Sequence, residues 1–176
     1  MFNGSKFKLV LSTGLGVVGI GIAALAATPV YAATTGSTTA NATVNSSVTL
    51  SGLSPNFTIA GAPLTTATGL SAVTMNAKTN NKTGYNVTVQ AAAATMTGAI
   101  AGNTDTIPVS ALSVRNTTTG GTYTAISNTA SVQVANTTAK STSGGDTVNN
   151  DYQVAIPWVN ADTYSVTLNY ILANNP

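Results

Sequence analysis

The chain has 176 residues with no cysteine and no histidine, and its only acidic residues are Asp105, Asp146, Asp151 and Asp162. That inventory excludes disulfide staples, zinc or copper ligation by thiol and imidazole, and nucleophilic catalysis driven by a histidine base. The formal charge of +2 rests on Lys6 and Lys8. From Ala33 onward Lys78, Lys82, Arg115 and Lys140 balance the four aspartates, so there is no basic footprint for nucleic acid or an anionic membrane.

Residues 1–32 read as a signal peptide. Lys6 and Lys8 precede an apolar run from Leu9 to Ala27, Pro29 stops it, and Val30-Tyr31-Ala32 places small residues where a signal peptidase cuts. The run approaches the roughly 20 residues of a membrane-spanning helix. An uncleaved anchor is therefore the alternative, and it would be the only route to a membrane. The expected destination is secretion or the cell surface, and the long leader suits a Gram-positive bacterium. Residues 33–41, rich in Thr, Ser and Ala without periodicity, read as a flexible lead-in.

Residues 42–176 alternate apolar and polar side chains with period two and read as one β domain. Val44, Ser46, Val48 and Leu50 form one face of a first strand, Phe57 and Ile59 a short second, and Val73, Met75 and Ala77 a third that ends at a turn, Asn80–Gly84. Tyr85, Val87, Val89 and Ala91 then alternate with Asn86, Thr88 and Gln90, giving an apolar face and a wet one. Strands are expected at Ile107–Arg115, Thr122–Ile126 and Ser131–Ala135, followed by a long loop over Ser141–Asn150 around Gly144-Gly145. Tyr152, Val154, Ile156 and Trp158 make another apolar face, with Pro157 at an edge or strand end. Val159–Asp162 would be a hairpin loop into the last strand, Tyr164–Leu172.

After residue 32 the chain holds 30 Thr, 13 Ser and 17 Asn, a composition that favours pleated strands and turns over helices. No segment there keeps a 3.6-residue period. The expected fold class is all-β, an antiparallel sandwich of eight or nine strands over residues 42–176.

Three segments, Lys78–Val89, Ile107–Val114 and Tyr152–Tyr170, resemble exported bacterial cell-surface proteins with an immunoglobulin-like or WxL-like β-sandwich. The resemblance implies an immunoglobulin-like architecture and a non-enzymatic structural or adhesive role. The tryptophan here stands in Trp158-Val159-Asn160 rather than in a Trp-x-Leu motif, so peptidoglycan binding is not carried over, and no functional residue is.

Chemistry has few candidates. Paired carboxylates for glycoside hydrolysis would have to come from four aspartates in turn-like positions. No catalytic residue and no cofactor are assigned. Asp146, Asn149, Asn150 and Asp151 bring oxygen atoms close in sequence beside Gly144-Gly145 and are calcium candidates, although their spacing matches no EF-hand. Ordinary Asn/Asp turn chemistry is the competing reading. Lys78 with Asn169 is a candidate pair for an intramolecular amide staple that no spacing demands, and an ordinary solvated surface lysine is the favoured reading. Trp158, Tyr123 and Tyr164 are candidate ring-stacking residues for a sugar, with core packing as the competing role.

The sequence thus leads to a non-enzymatic surface protein, structural or adhesive; β-strand addition through uncharged strands near its two ends is one mechanism of assembly, and pairing of both strands within one monomer is the favoured alternative. A carbohydrate-binding module is the alternative. Partners would be other surface proteins, cell-wall or host glycans, or further copies of the chain.

Overall fold

Neutral β-branched and hydroxyl side chains become strands here because alternate positions have an apolar layer to enter. The computed structural model describes residues 34–176, so the expected signal peptide lies outside the described residues. Residues 34–41 carry no regular secondary structure and are exposed, while Ala42–Pro176 forms one compact unit. Among the described residues no helix is long and apolar enough to cross a membrane.

Among the described residues eleven strands follow in order, more than the eight or nine expected. They are β1 (Val48–Ser51), β2 (Thr66–Thr79), β3 (Tyr85–Ala91), β4 (Thr95–Gly98), β5 (Thr106–Pro108), β6 (Leu112–Asn116), β7 (Gly120–Ala125), β8 (Val132–Asn136), β9 (Asp146–Ala155), β10 (Tyr164–Ser165) and β11 (Leu168–Asn174). All pairings are antiparallel. The first sheet has the order β1-β2-β9-β6-β7, the second β11-β3-β8, and a small third sheet β10-β4-β5.

The inner faces of the first two sheets share one apolar cluster. Val73, Met75 and Ala77 of β2, Val148, Tyr152 and Val154 of β9 and Leu112 and Val114 of β6 join Tyr85, Val87 and Val89 of β3. Their near-complete burial explains the strict alternation along β3, whose odd-numbered side chains are all buried. At the centre the hydroxyls of Tyr152 and Tyr170 hydrogen-bond to each other across the two sheets. Burial pushes both phenols well above the ordinary tyrosine range, and burial together with the nearby Asp146 carboxylate raises Tyr85 to about 12.

Several sequence expectations are corrected. The first strand covers only Val48–Ser51, and Val44 is exposed. Phe57 and Ile59 form no strand, yet both pack against the core, and the Phe57 ring lies 4.7 Å from that of Tyr152. The expected strand Ile107–Arg115 is broken by a 3₁₀ turn at Val109–Ala111. Asp146–Asn150 belong to β9 and not to a long loop. Val159–Asp162 is not a hairpin loop, because β9 and β11 lie in different sheets. The last stretch divides into β10 and β11, so that Tyr164 pairs with Gly98 while Tyr170 pairs with Val89.

The turn at Asn80–Gly84 is present, but it arches from the first sheet to the second. Gly84 sits at φ 83°, and a Cβ there would meet the Thr137 carbonyl at 2.2 Å, so no other residue fits.

Removing one of the paired hydroxyls leaves the other buried without a partner. Tyr152→Phe and Tyr170→Phe should each lower stability by about 1–2 kcal/mol, while the double substitution costs less than their sum. Urea midpoints of the three variants check this. The raised tyrosines also predict stability constant up to about pH 10 and falling above it, as unfolded phenols ionise first.

Candidate functional site

Strand direction defines two ends of the unit. β2 begins and β9 finishes at one end, where Thr66 pairs with Ala155, and at the other end Ala77 pairs with Asp146. The first end is built from loops 62–65, 99–105 and 156–163. β9 stops at Ala155, just before the imide nitrogen of Pro157, which can donate no hydrogen bond to a neighbouring strand.

Two carboxylates hold these loops. Asp162 accepts hydrogen bonds from the Ile100 N–H at 3.0 Å, the Thr163 N–H at 2.6 Å and the Asn103 Nδ2 at 2.7 Å. Asp105 accepts from the Asn160 N–H at 2.8 Å. Asn103 Oδ1 accepts from the Asp105 N–H and from Asn160 Nδ2, while the Tyr164 hydroxyl donates to the Asn160 carbonyl at 3.0 Å. A side chain at Gly98 would strike the Asp162 carboxylate, which accounts for glycine in that strand. The Asn103 amide, chiefly, with the backbone N–H groups of Ile100, Thr163 and Ala99, holds the Asp162 carboxyl below the usual range.

Above this polar brace the loops present apolar side chains to solvent. Trp158 is 79 % exposed, Leu64 74 % and Ile100 59 %. The Leu64 N–H donates to the Ile156 carbonyl at 2.8 Å, which places Leu64 beside the segment leading to Trp158. Leu64 has φ 63°, a left-handed conformation that costs a branched side chain about 1–3 kcal/mol. Neither that strain nor the exposure of three large apolar groups helps the fold.

The ring-stacking candidates are therefore only partly assembled. Trp158 in the 156–163 loop and Tyr164 at the start of β10 lie at the same end, with Trp158 exposed and Tyr164 half-buried in the polar brace. Tyr123 is elsewhere, on β7, with the Arg115 guanidinium 4.6 Å over its ring. Core register does hold for Tyr85, Tyr152 and Tyr170, but Trp158 caps nothing.

The calcium candidates are separated by the alternation of β9. Asp151 faces outward, where it accepts from Arg115 Nε at 3.0 Å, the Ser71 N–H at 2.8 Å and Thr117 Oγ1 at 2.7 Å. Burial alone would raise its carboxyl, yet these three donors outweigh it and hold the group below the ordinary range. Asp146 and Asn150 point to the opposite side, and Asp146 accepts from the Thr142 N–H. Among the described residues no three acidic, histidine or cysteine side chains gather as a metal-binding group. Lys78 and Asn169 are both exposed and sit in different sheets, so the amide staple does not form between them.

Sequence reasoning missed Leu64, Ile100, Asn103 and Asp105. Only a loop-borne tryptophan after a proline hinted at this end. No family model, curated protein or solved structure matches the chain.

Because Asp162 is depressed in the folded protein, its contribution is present above the unfolded carboxylate pKa near 4 and is lost as pH falls through the lower folded value. Asp162→Asn should leave strand content unchanged while raising amide exchange at Ile100 and Thr163. In the wild type, protection against exchange at the same sites should fall as the pH drops below about 4.

Proposed function

We propose that the chain is an exported, non-enzymatic surface protein with a structural or adhesive role, built on an immunoglobulin-like sandwich and able to join copies by β-strand addition. The attachment of β1 is the observation that carries this reading. β1 is four residues long, mostly exposed, and covers only Asn76–Thr79 of the 14-residue β2. It is followed by Gly52 at φ 61°, a natural pivot, and preceded by an exposed segment without secondary structure. Leu50 is the part of β1 that packs against the core.

Two other edge strands carry local guards: Asn116 Nδ2 donates to the Val134 carbonyl of β8, and β7 opens with Gly120 and Gly121 at positive φ. Release of β1 would uncover the β2 edge as an acceptor for the same strand of a neighbour, which orders copies head to tail. Deleting residues 34–51 should abolish fibres or oligomers seen by electron microscopy and size exclusion. Oligomers of unchanged size would reject strand exchange.

A carbohydrate-binding module is the second reading, favoured by Trp158, whose ring is free on a braced loop. Sugar binding would quench or shift the emission of this single tryptophan. A glycan panel without effect on that fluorescence rejects it.

A further inference from the structure

The residues that lead into β1 are held by a side chain standing in for a strand. Asn80 Oδ1 accepts from the Ser47 N–H at 2.7 Å, and Asn80 Nδ2 donates to the Asn45 carbonyl at 2.8 Å. One carboxamide thus supplies the acceptor and the donor that a paired strand would offer to residues 45 and 47. The Asn80 N–H adds a longer bond, 3.3 Å, to the Ser47 carbonyl. None of these contacts uses a side chain of the held segment, so Asn80 recognises extended backbone.

A second carboxamide recognises a side chain. Asn174, on β11 of the second sheet, donates through Nδ2 to Ser46 Oγ at 3.0 Å. Its orientation is fixed from behind, because the buried Thr79 hydroxyl donates to Asn174 Oδ1 at 2.6 Å and accepts from the Asn81 N–H at 3.0 Å. Further along the same segment Leu50 packs against the core. Ser46 and Leu50 share one face of the alternation with Val44 and Val48, so Ser46 brings the hydroxyl to that face.

We infer that Asn80 and Asn174 form a strand-recognition site that admits residues 45–51 of this chain in one register only. The occupant is the segment that the structure already holds there. A slip of one residue would turn Leu50 away from the core. A slip of two brings Val44 or Val48 to the Asn174 amide, which then has no acceptor, and moves Val48 or Gly52 into the place of Leu50. The strand that fits is therefore uncharged and extended, with a hydroxyl four residues before a large apolar side chain. In assembly by strand exchange that strand is the same segment of a second copy. This extension between copies rests on the exchange proposed above, whereas the choice of register does not.

Two experiments on the full chain test the site. Asn80→Asp keeps an acceptor for Ser47 but sets a carboxylate oxygen against the Asn45 carbonyl. Hydrogen exchange at the Ser47 amide, relative to wild type at the same pH, should rise about tenfold at neutral pH. It should recover below about pH 4, where the protonated acid donates again. Asn80→Ala should show the rise without the recovery, and wild-type exchange in both variants would overturn the backbone clamp. Register is read by disulfide formation, since the chain has no cysteine of its own. Thr49 and Lys78 are paired across β1 and β2, and both are exposed. Thr49→Cys with Lys78→Cys should cross-link on oxidation. Ser47→Cys with Lys78→Cys, displaced by about 7 Å along the strand, should do so at least about tenfold more slowly. Adding Val44→Ser with Ser46→Val moves the hydroxyl two residues along its face and should raise the displaced cross-link about tenfold. Displaced cross-linking that is already equal, or unchanged by this swap, would overturn the inference. Cross-links found within single chains and never between two would uphold the register while rejecting strand exchange.

Discussion

Contact between the inner faces of the first two sheets carries the fold, because the usual substitutes are missing. There is no cysteine to cross-link the layers, and the ion pair found among the described residues, Arg115 with Asp151, lies on the outer side of the first sheet. What remains is apolar side chains of modest size, mainly valine, joined at the middle by two tyrosines. Those tyrosines satisfy each other's hydroxyls across the layer, so a polar contact ties the two sheets together inside the core. Every other feature, including the braced loops, is positioned by strands that this contact aligns.

Polar groups outside the core hold irregular backbone rather than add stability by number. Asp151 is almost fully buried, yet its role is local: it captures the N–H of Ser71, a residue at φ 47° in the irregularity between Gly69 and Val73 of β2. Asp162 does the same for Ile100 and Thr163 at one end. In both places a carboxylate replaces the ladder bonds that a distorted strand or loop cannot make. A chain with so few charges spends them on backbone geometry, and that leaves its outer surface neutral and rich in hydroxyls.

The sequence disclosed the class of fold through local alternation. Tyr85–Ala91 kept its alternation as the pattern implied, since β3 is flanked by β11 and β8 and lays one face against the first sheet. Alternation could not show which strands pair. Val159–Asp162 looked like the loop of a hairpin, yet β9 belongs to the first sheet and β10 joins the third. Nor could it find strand breaks set by tertiary contacts, as at Val109–Ala111, where a 3₁₀ turn carries the chain from the third sheet to the first. The Asp and Asn residues near 150 were read as a loop because such residues favour turns. Pairing of β9 on both sides overrode that preference. The exposed apolar end was hidden for a related reason: Leu64, Ile100 and Trp158 lie far apart in sequence, and loop bracing brings their segments to the same end.

The arch from β2 to β3 has a kinetic consequence. It sends two neighbouring segments into opposite layers, and the chain repeats the manoeuvre between β8 and β9. Few strands can therefore zip onto the segment synthesised just before them, and β2 must wait for β9, whose first residue lies 67 positions beyond the last of β2. Closing such distant partners is entropically slow. Until it happens, a 14-residue strand that β1 covers only at Asn76–Thr79 stands otherwise open, so the interval before β9 arrives is when this polypeptide is most exposed to strangers.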